Sequence, residues 1–278
     1  MAGRCYFEME CARREIRLMS EMVNQGIGVK INNVSKDFLV DNEKINVLDN
    51  IDMDIKPGEF VSIVGSSGCG KSTLLKMLGG LQTPSKGEIY VGDRLVERPN
   101  VEVGMIFQES RLFPWLTLEE NIAFGIHEKL PKDVKEQMVH EHIHMVGLEG
   151  FEKALPKQLS GGMQQRASIA RTLINRPKVL LLDEPFGALD ALTRITMQNE
   201  ILKIWEMEKT TMILVTHDID ESIYLGDRVM VFSSRPGRIK RMIDVDIERP
   251  RKRNSQNFME LREEIYSEFF GEISYNKA

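Results

Sequence analysis

An α/β fold with a mostly parallel sheet covered on both faces is predicted by three features of the sequence. A glycine-rich run, Gly65-Ser66-Ser67-Gly68-Cys69-Gly70-Lys71-Ser72-Thr73, lies between a strand pattern, Phe60 to Val64, and a helical pattern, Leu74 to Leu78. The stretch Val179 to Leu182 is continuously apolar, as a strand buried on both faces requires, and runs straight into Asp183 and Glu184. Elsewhere strand-type and helix-type patterns alternate, which calls for crossover helices packed on a parallel sheet.

The elements follow in order. Val29 to Val34, Asn46 to Ile55 and Glu59 to Val64 read as strands, the last two separated by the Lys56-Pro57-Gly58 turn. The cradle run opens a helix to about Leu78, after which Lys86 to Gly92 and Val101 to Phe107 read as further strands. Thr117 and Glu120 have capping-box spacing and predict a helix over Leu118 to Ile126. Pro131 opens a second helix to about Met145, closed by Gly147. Ser160 stands at an N-cap position before a helix to about Ile174. A helix from Ala191 to Met207, a strand Thr211 to Thr216, a short helix through Ser222 and a strand Arg228 to Phe232 complete the core. Beyond the basic cluster Arg249, Arg251, Lys252 and Arg253, the residues Phe258, Leu261, Ile265 and Phe269 share one helical face, which suits packing on the core better than a regulatory contact.

The glycine-rich run is chemically a phosphate cradle. Gly65, Gly68 and Gly70 permit backbone conformations that let successive N–H groups of residues such as Ser66, Ser67, Cys69 and Thr73 converge on phosphate oxygens at a helix N-terminus. Lys71 adds a positive charge for the β and γ phosphates, and the Ser72 hydroxyl can ligate Mg²⁺. At the end of the second buried strand, Asp183 is placed to hold Mg²⁺ through water and Glu184 to take a proton from an attacking water. The N-terminal amides offered by Ser160, Gly161 and Gly162 suit another anion, and with one cradle per chain they point to a nucleotide held by a second copy.

Composition narrows the classes. With 278 residues the chain accommodates one α/β unit carrying a subdomain. The net charge is −5, with 37 basic and 42 acidic residues intermixed, which argues against a nucleic-acid partner. Three cysteines, Cys5, Cys11 and Cys69, do not make a disulfide framework and suit a reducing compartment. A membrane-spanning helix needs about 20 apolar residues, and the apolar runs here reach four residues. Residues 1–27 carry no secretory pattern and read as an extension, disordered or briefly helical, with Met19 and Met22 as candidate starts. His140, His142 and His144 alternate, and only the outer two share a helical face, so a metal site is not expected.

Over residues 28–248 the sequence resembles the ATP-binding cassette (ABC) ATPases. The cradle, Val179 to Glu184 and Leu159-Ser160-Gly161-Gly162-Met163-Gln164-Gln165-Arg166 carry the likeness, the last being similar to the family's signature motif. The resemblance implies a P-loop NTPase fold with a RecA-like core, an antiparallel β subdomain and an α-helical subdomain inserted at about residues 110–165, followed by a helical tail, 249–278. It implies ATP and Mg²⁺ as cofactors and a homodimer sandwiching ATP between cradle and signature. By the same resemblance Phe38 stacks on adenine, Gln108 links metal and attacking water to the helical subdomain, Asp190 communicates across the dimer and His217 contacts the γ-phosphate. Alone, His217 would read as a strand-end residue and Phe38 as core. Met163 departs from the commonest family pattern, which has glutamine there. The stretches Phe107 to Thr117 and Glu184 to Asp190 resemble the ATPases of importers for nitrate, aliphatic sulfonates and taurine. That likeness implies a peripheral protein on the cytoplasmic face of the membrane, transmembrane permease subunits as partners and an extracytoplasmic substrate-binding protein as an indirect one. Phe113, Pro114 and Trp115 then form part of a groove for a permease helix, or else subdomain core. The competing classes are a soluble cassette acting on nucleic acid or ribosomes and an exporter cassette.

Overall fold

The computed structural model describes residues 26–270, so the reading of an extension before residue 28 falls almost wholly outside the described residues. Two sheets organise the described residues. The first is antiparallel, in the order β2 (Glu43–Ile55), β1 (Val29–Val40), β4 (Lys86–Val91), β5 (Arg94–Leu95). The second has the order β10 (Ile239–Asp244), β9 (Arg228–Phe232), β3 (Phe60–Val64), β8 (Thr211–Thr216), β7 (Val179–Asp183), β6 (Val103–Ile106), parallel except for β10. Every residue of β3, β7 and β8 is buried, which is why their sequences are mostly apolar, with Ser62, Asp183, Thr211 and Thr216 as the exceptions.

Helix α1 (Lys71–Leu78) and the antiparallel sheet cover one face of the central sheet. Val29, Ile31, Leu48, Leu74 and Leu75 meet Val61, Ile63, Ile213 and Val215 there. The opposite face packs Phe60, Leu180, Leu182 and Leu214 against α2 (Leu118–Ala123), α3 (Lys132–Met145), α4 (Gly161–Leu173) and α5 (Ala191–Glu208). A third cluster joins β9 and β10 to α6 (Ile219–Leu225) and α7 (Gln256–Phe270), where Phe258 and Ile265 are fully buried and Leu261 and Phe269 partly so. The tail therefore packs on the core.

Several boundaries differ from the sequence expectation. Strands β1 and β2 extend into a long hairpin turned by Asp41 and Asn42, both at positive φ (50° and 67°), so Phe38 lies on a strand paired with Ile45. Helix α2 stops at Ala123 instead of Ile126, just before Gly125, whose backbone packs so closely on α4 that a Cβ there would sit 2.1 Å from the Arg171 carbonyl oxygen. Pro131 is the N-cap of α3 and not its first turn. β5 and β10 were not expected. β10 is an edge strand whose Lys240 and Arg241 reach Glu268 on α7, and a charged edge carries no alternating apolar signal. The three alternating histidines diverge: the His142 Nδ1 lies 2.8 Å from the Met138 carbonyl oxygen, whereas His144 pairs with Glu149.

The arginines of the basic cluster are tied into the core, while Lys252 is exposed. Arg251 is 5% exposed and donates to the carbonyls of Ile223 (2.6 Å), Gly226 (2.5 Å), Ile247 (2.9 Å) and Val245 (3.2 Å), closing the C-terminal end of α6. Burial pulls its guanidinium down to about 10, with neighbouring Arg249 acting in the same direction. Arg249 pairs with Asp227 at 2.6 Å and lies over the Trp205 ring. Among the described residues no helix is long and apolar enough to cross a membrane.

Replacing Arg251 with Met leaves several buried carbonyls without a donor and is expected to lower stability by about 3 kcal/mol. Urea unfolding of the variant reads this as a shifted midpoint.

Candidate functional site

The parallel register sets the site. Val64 pairs with Thr216 and Asp183 with Val215, so β3, β8 and β7 end side by side, and the residues after each strand share one edge of the sheet. From β3 comes the loop Gly65–Gly70. Gly70 caps α1 at φ 103°, and a Cβ on it would lie 2.7 Å from Leu48 Cδ2; Gly68 adopts φ 76°. Lys71, 6% exposed, folds its ammonium back to donate to the carbonyls of Gly65 (2.8 Å) and Ser66 (3.1 Å), and the buried Cys69 Sγ lies 3.9 Å from it. Ser67, Gly68, Gly70, Lys71, Ser72 and Thr73 all face an open cleft of about 720 Å³.

From β7 come the two carboxylates, which the backbone separates. Asp183 stays in the strand, buried, and accepts a 2.7 Å hydrogen bond from the Ser72 hydroxyl. Burial pushes its carboxyl up, the Glu184 charge adds to this, and Ser72, Lys76 and Lys71 oppose it. Glu184 turns away at φ 46°, a strained value for a non-glycine residue, with its amide donating to the Val215 carbonyl at 2.9 Å. Its Oε2 then sits 3.2 Å from Gln108 Nε2, after β6, and 3.3 Å from His217 Nδ1, after β8. Phe38, half-buried on the hairpin, closes the far side of the cleft.

The oxygen donors suit a magnesium ion. Ser72 and Asp183 offer a hydroxyl and a carboxylate at one point beside the cradle. Among the described residues no three acidic, histidine or cysteine side chains form a closed cage, so the remaining ligands would be water and phosphate oxygens, the usual habit of this hard cation. A buried carboxylate whose charge is disfavoured by its surroundings gains most from such an ion.

The other expected residues do not reach this cleft within one chain. Ser160 caps α4 by accepting from the Met163 amide at 3.2 Å, Gly161 has open space around it, and Asp190 caps α5 by accepting from the amides of Leu192 and Thr193. The Thr193 hydroxyl and these amides hold the Asp190 carboxyl below the usual range. Met163 packs against the core with its side chain partly buried, so its departure from the commoner glutamine leaves the exposed amides untouched. Arg235 was missed by sequence reasoning. It stands at the cleft mouth, with Nη2 3.4 Å from the Gly68 carbonyl, delivered by a turn between β9 and β10 that no local pattern announces.

Residues 48–187 match the ABC transporter family. The chain is 51% identical over 241 residues to the aliphatic sulfonates import ATP-binding protein SsuB of Bacillus anthracis, covering 87% of this chain and 95% of that protein. It is 50% identical to SsuB of Bacillus subtilis (strain 168), covering 87% and 94%. The dimeric cassette MJ0796 solved with ADP and Pi superposes with a TM-score of 0.73 at 34% identity, over 79% of this chain and all of that one. The chain belongs to the ABC transporter family of ATP-binding proteins, and its fold is that of the ABC ATPases. Its enzymatic activity is ATP hydrolysis, with Mg²⁺ as the accompanying metal.

An alanine at Gly70 is both strained at φ 103° and blocked by Leu48, a cost of about 1–3 kcal/mol. Gly70→Ala is expected to weaken ATP binding about 10-fold to 100-fold by calorimetric titration.

Proposed function

We propose that this chain is the ATP-hydrolysing subunit of an importer for a small anion such as a sulfonate, taurine or nitrate. The observation that carries the import reading is the likeness to aliphatic sulfonates import ATP-binding proteins at about half identity along nearly their whole length. The site geometry supplies the engine. The cradle amides and Lys71 bind the triphosphate, Arg235 adds charge at the mouth, and Phe38 takes the adenine face. Ser72 and Asp183 would hold Mg²⁺, directly and through water, with Gln108 completing its surroundings. When bound, the ion neutralises charge developing on the phosphate oxygens.

Glu184 is the general base in this reading. Its carboxylate lies between Gln108 and His217, a position from which it orients a water and takes its proton as the γ-phosphoryl bond breaks. His217 meets the γ-phosphate. Ser160, Gly161 and Asp190, exposed, and Gly162, half-buried, stand outside the lining of the chain's own cleft and act on the nucleotide of a second copy, so closure of a homodimer on two ATP molecules completes each site. ATP binds the closed dimer better than the open one, and hydrolysis releases it.

The permease contact falls on an aromatic patch. Trp115 is 72% exposed and stacks on Phe113, which also meets the 58%-exposed Phe124. A cytoplasmic helix of a transmembrane permease suits this surface, and the substrate-binding protein outside the membrane acts only through that permease. The chain thus works at the cytoplasmic face of the membrane. Its mixed charges and net −5 give no field for nucleic acid.

Glu184→Gln is expected to retain ATP binding and lower turnover by about 10² to 10⁴, measured as phosphate release; full turnover removes the general-base role. In reconstituted vesicles, Trp115→Ala is expected to leave hydrolysis by the isolated subunit unchanged while substrate uptake falls. Normal uptake would dismiss the docking surface.

A further inference from the structure

Helix α4 grips the loop that carries Gln108. Gln165, 1% exposed, donates Nε2 to the Phe107 carbonyl at 2.9 Å, one residue before Gln108. Gln164 Oε1 accepts from the Ser110 hydroxyl at 3.2 Å, while its Nε2 donates to the carbonyls of Pro156 and Leu159, just ahead of Ser160. Arg171 donates Nη1 to the Arg111 carbonyl at 2.9 Å and Nη2 to the Ser110 carbonyl at 3.2 Å. The loop is thereby held on both sides of Gln108. Arg111 completes the turn at φ 46°, with its guanidinium 3.9 Å from the Phe107 ring centroid.

The bonds from Gln165 and Arg171 start on one helix and end on backbone carbonyls of a segment that belongs to neither strand nor helix. Neither side chain lines the cleft. Burying a glutamine this completely is worthwhile only if its amide is satisfied, and its satisfied partner is the loop carbonyl. Burial pulls the Arg171 guanidinium below its usual range, so its charge too is committed to these carbonyls at some cost.

We infer that Gln165 and Arg171 are positioning residues that fasten the Gln108 loop to α4, so that the Ser160–Gly162 end and the Gln108 amide move as one piece. In a head-to-tail dimer these two ends of the piece serve different nucleotides: Ser160–Gly162 touch the one lodged in the second copy, and Gln108 points at Glu184 beside the chain's own. The helix would therefore carry the arrival of one nucleotide to the carboxylate working on the other. This inference rests on the roles proposed above for Gln108 and Glu184.

The test compares Gln165→Leu, Arg171→Met, Gln108→Ala and the double variant Gln108→Ala/Gln165→Leu in the full chain, with ATP hydrolysis measured over a range of ATP concentrations. Each single variant is expected to lower kcat about 10-fold to 100-fold with KM for ATP nearly unchanged. The double variant is expected to be no slower than Gln108→Ala, since removing the grip on an absent amide has nothing further to misplace. Additive losses, or losses that match the fraction of unfolded protein seen by circular dichroism, would make the bonds purely structural and overturn the inference. Normal kcat in both Gln165→Leu and Arg171→Met beside a slow Gln108→Ala overturns it alone. A normal Gln108→Ala would instead bring down the reading of Gln108 on which it rests. Should Gln165→Leu fail to fold, the more exposed Arg171→Met and its double variant with Gln108→Ala decide the matter by the same comparison.

Discussion

The in-register ending of three buried parallel strands is the constraint on which the rest of the molecule depends. β3, β8 and β7 are buried along their whole length and hydrogen-bonded side by side, and a slip of one residue would turn every side chain to the opposite face, exchanging all the partners packed there. That rigidity fixes where the following residues emerge. The cradle, His217 and the Asp183-Glu184 pair come from widely separated segments, yet they meet within hydrogen-bonding distance because the strands beneath them are locked.

Within that edge, two adjacent acidic residues are given opposite surroundings. Asp183 keeps the strand conformation and is sealed under the cradle, where only a cation makes its charge comfortable. Glu184 is flipped into a left-handed conformation and held toward the open cleft by the hydrogen bond its amide donates to the Val215 carbonyl. The local strain is small beside the cooperative stability of the sheet below it, and it separates a metal ligand from a base along one residue of chain.

Much of this was legible in the sequence because burial leaves periodic traces. The largely apolar runs Phe60–Val64, Val179–Leu182 and Thr211–Thr216, the Thr117-Glu120 capping box and the Ser160 cap all follow from local patterns, and the structure places each element there. What escaped depends on contacts distant in sequence. β10 pairs through a charged edge, α2 ends where Gly125 meets Arg171, and Arg235 enters the cleft on a turn whose position is set by β9. The sequence shows Arg249 to Arg253 only as a basic cluster, because nothing in its composition reveals that carbonyls of α6 and the face of Trp205 meet Arg251 and Arg249.

The arginine closing α6 also bears on how the chain is made. Helix α6 follows directly from the histidine at the active edge, but the donors for its last carbonyls, and Phe258 beneath it, lie well downstream in the sequence. Strand β3, which presents the phosphate loop, is itself flanked by β8 and β9, so its sheet neighbours and the helix that follows the histidine all come from downstream segments. Synthesis on the ribosome thus delays assembly of a complete catalytic edge until these downstream segments have left the exit tunnel.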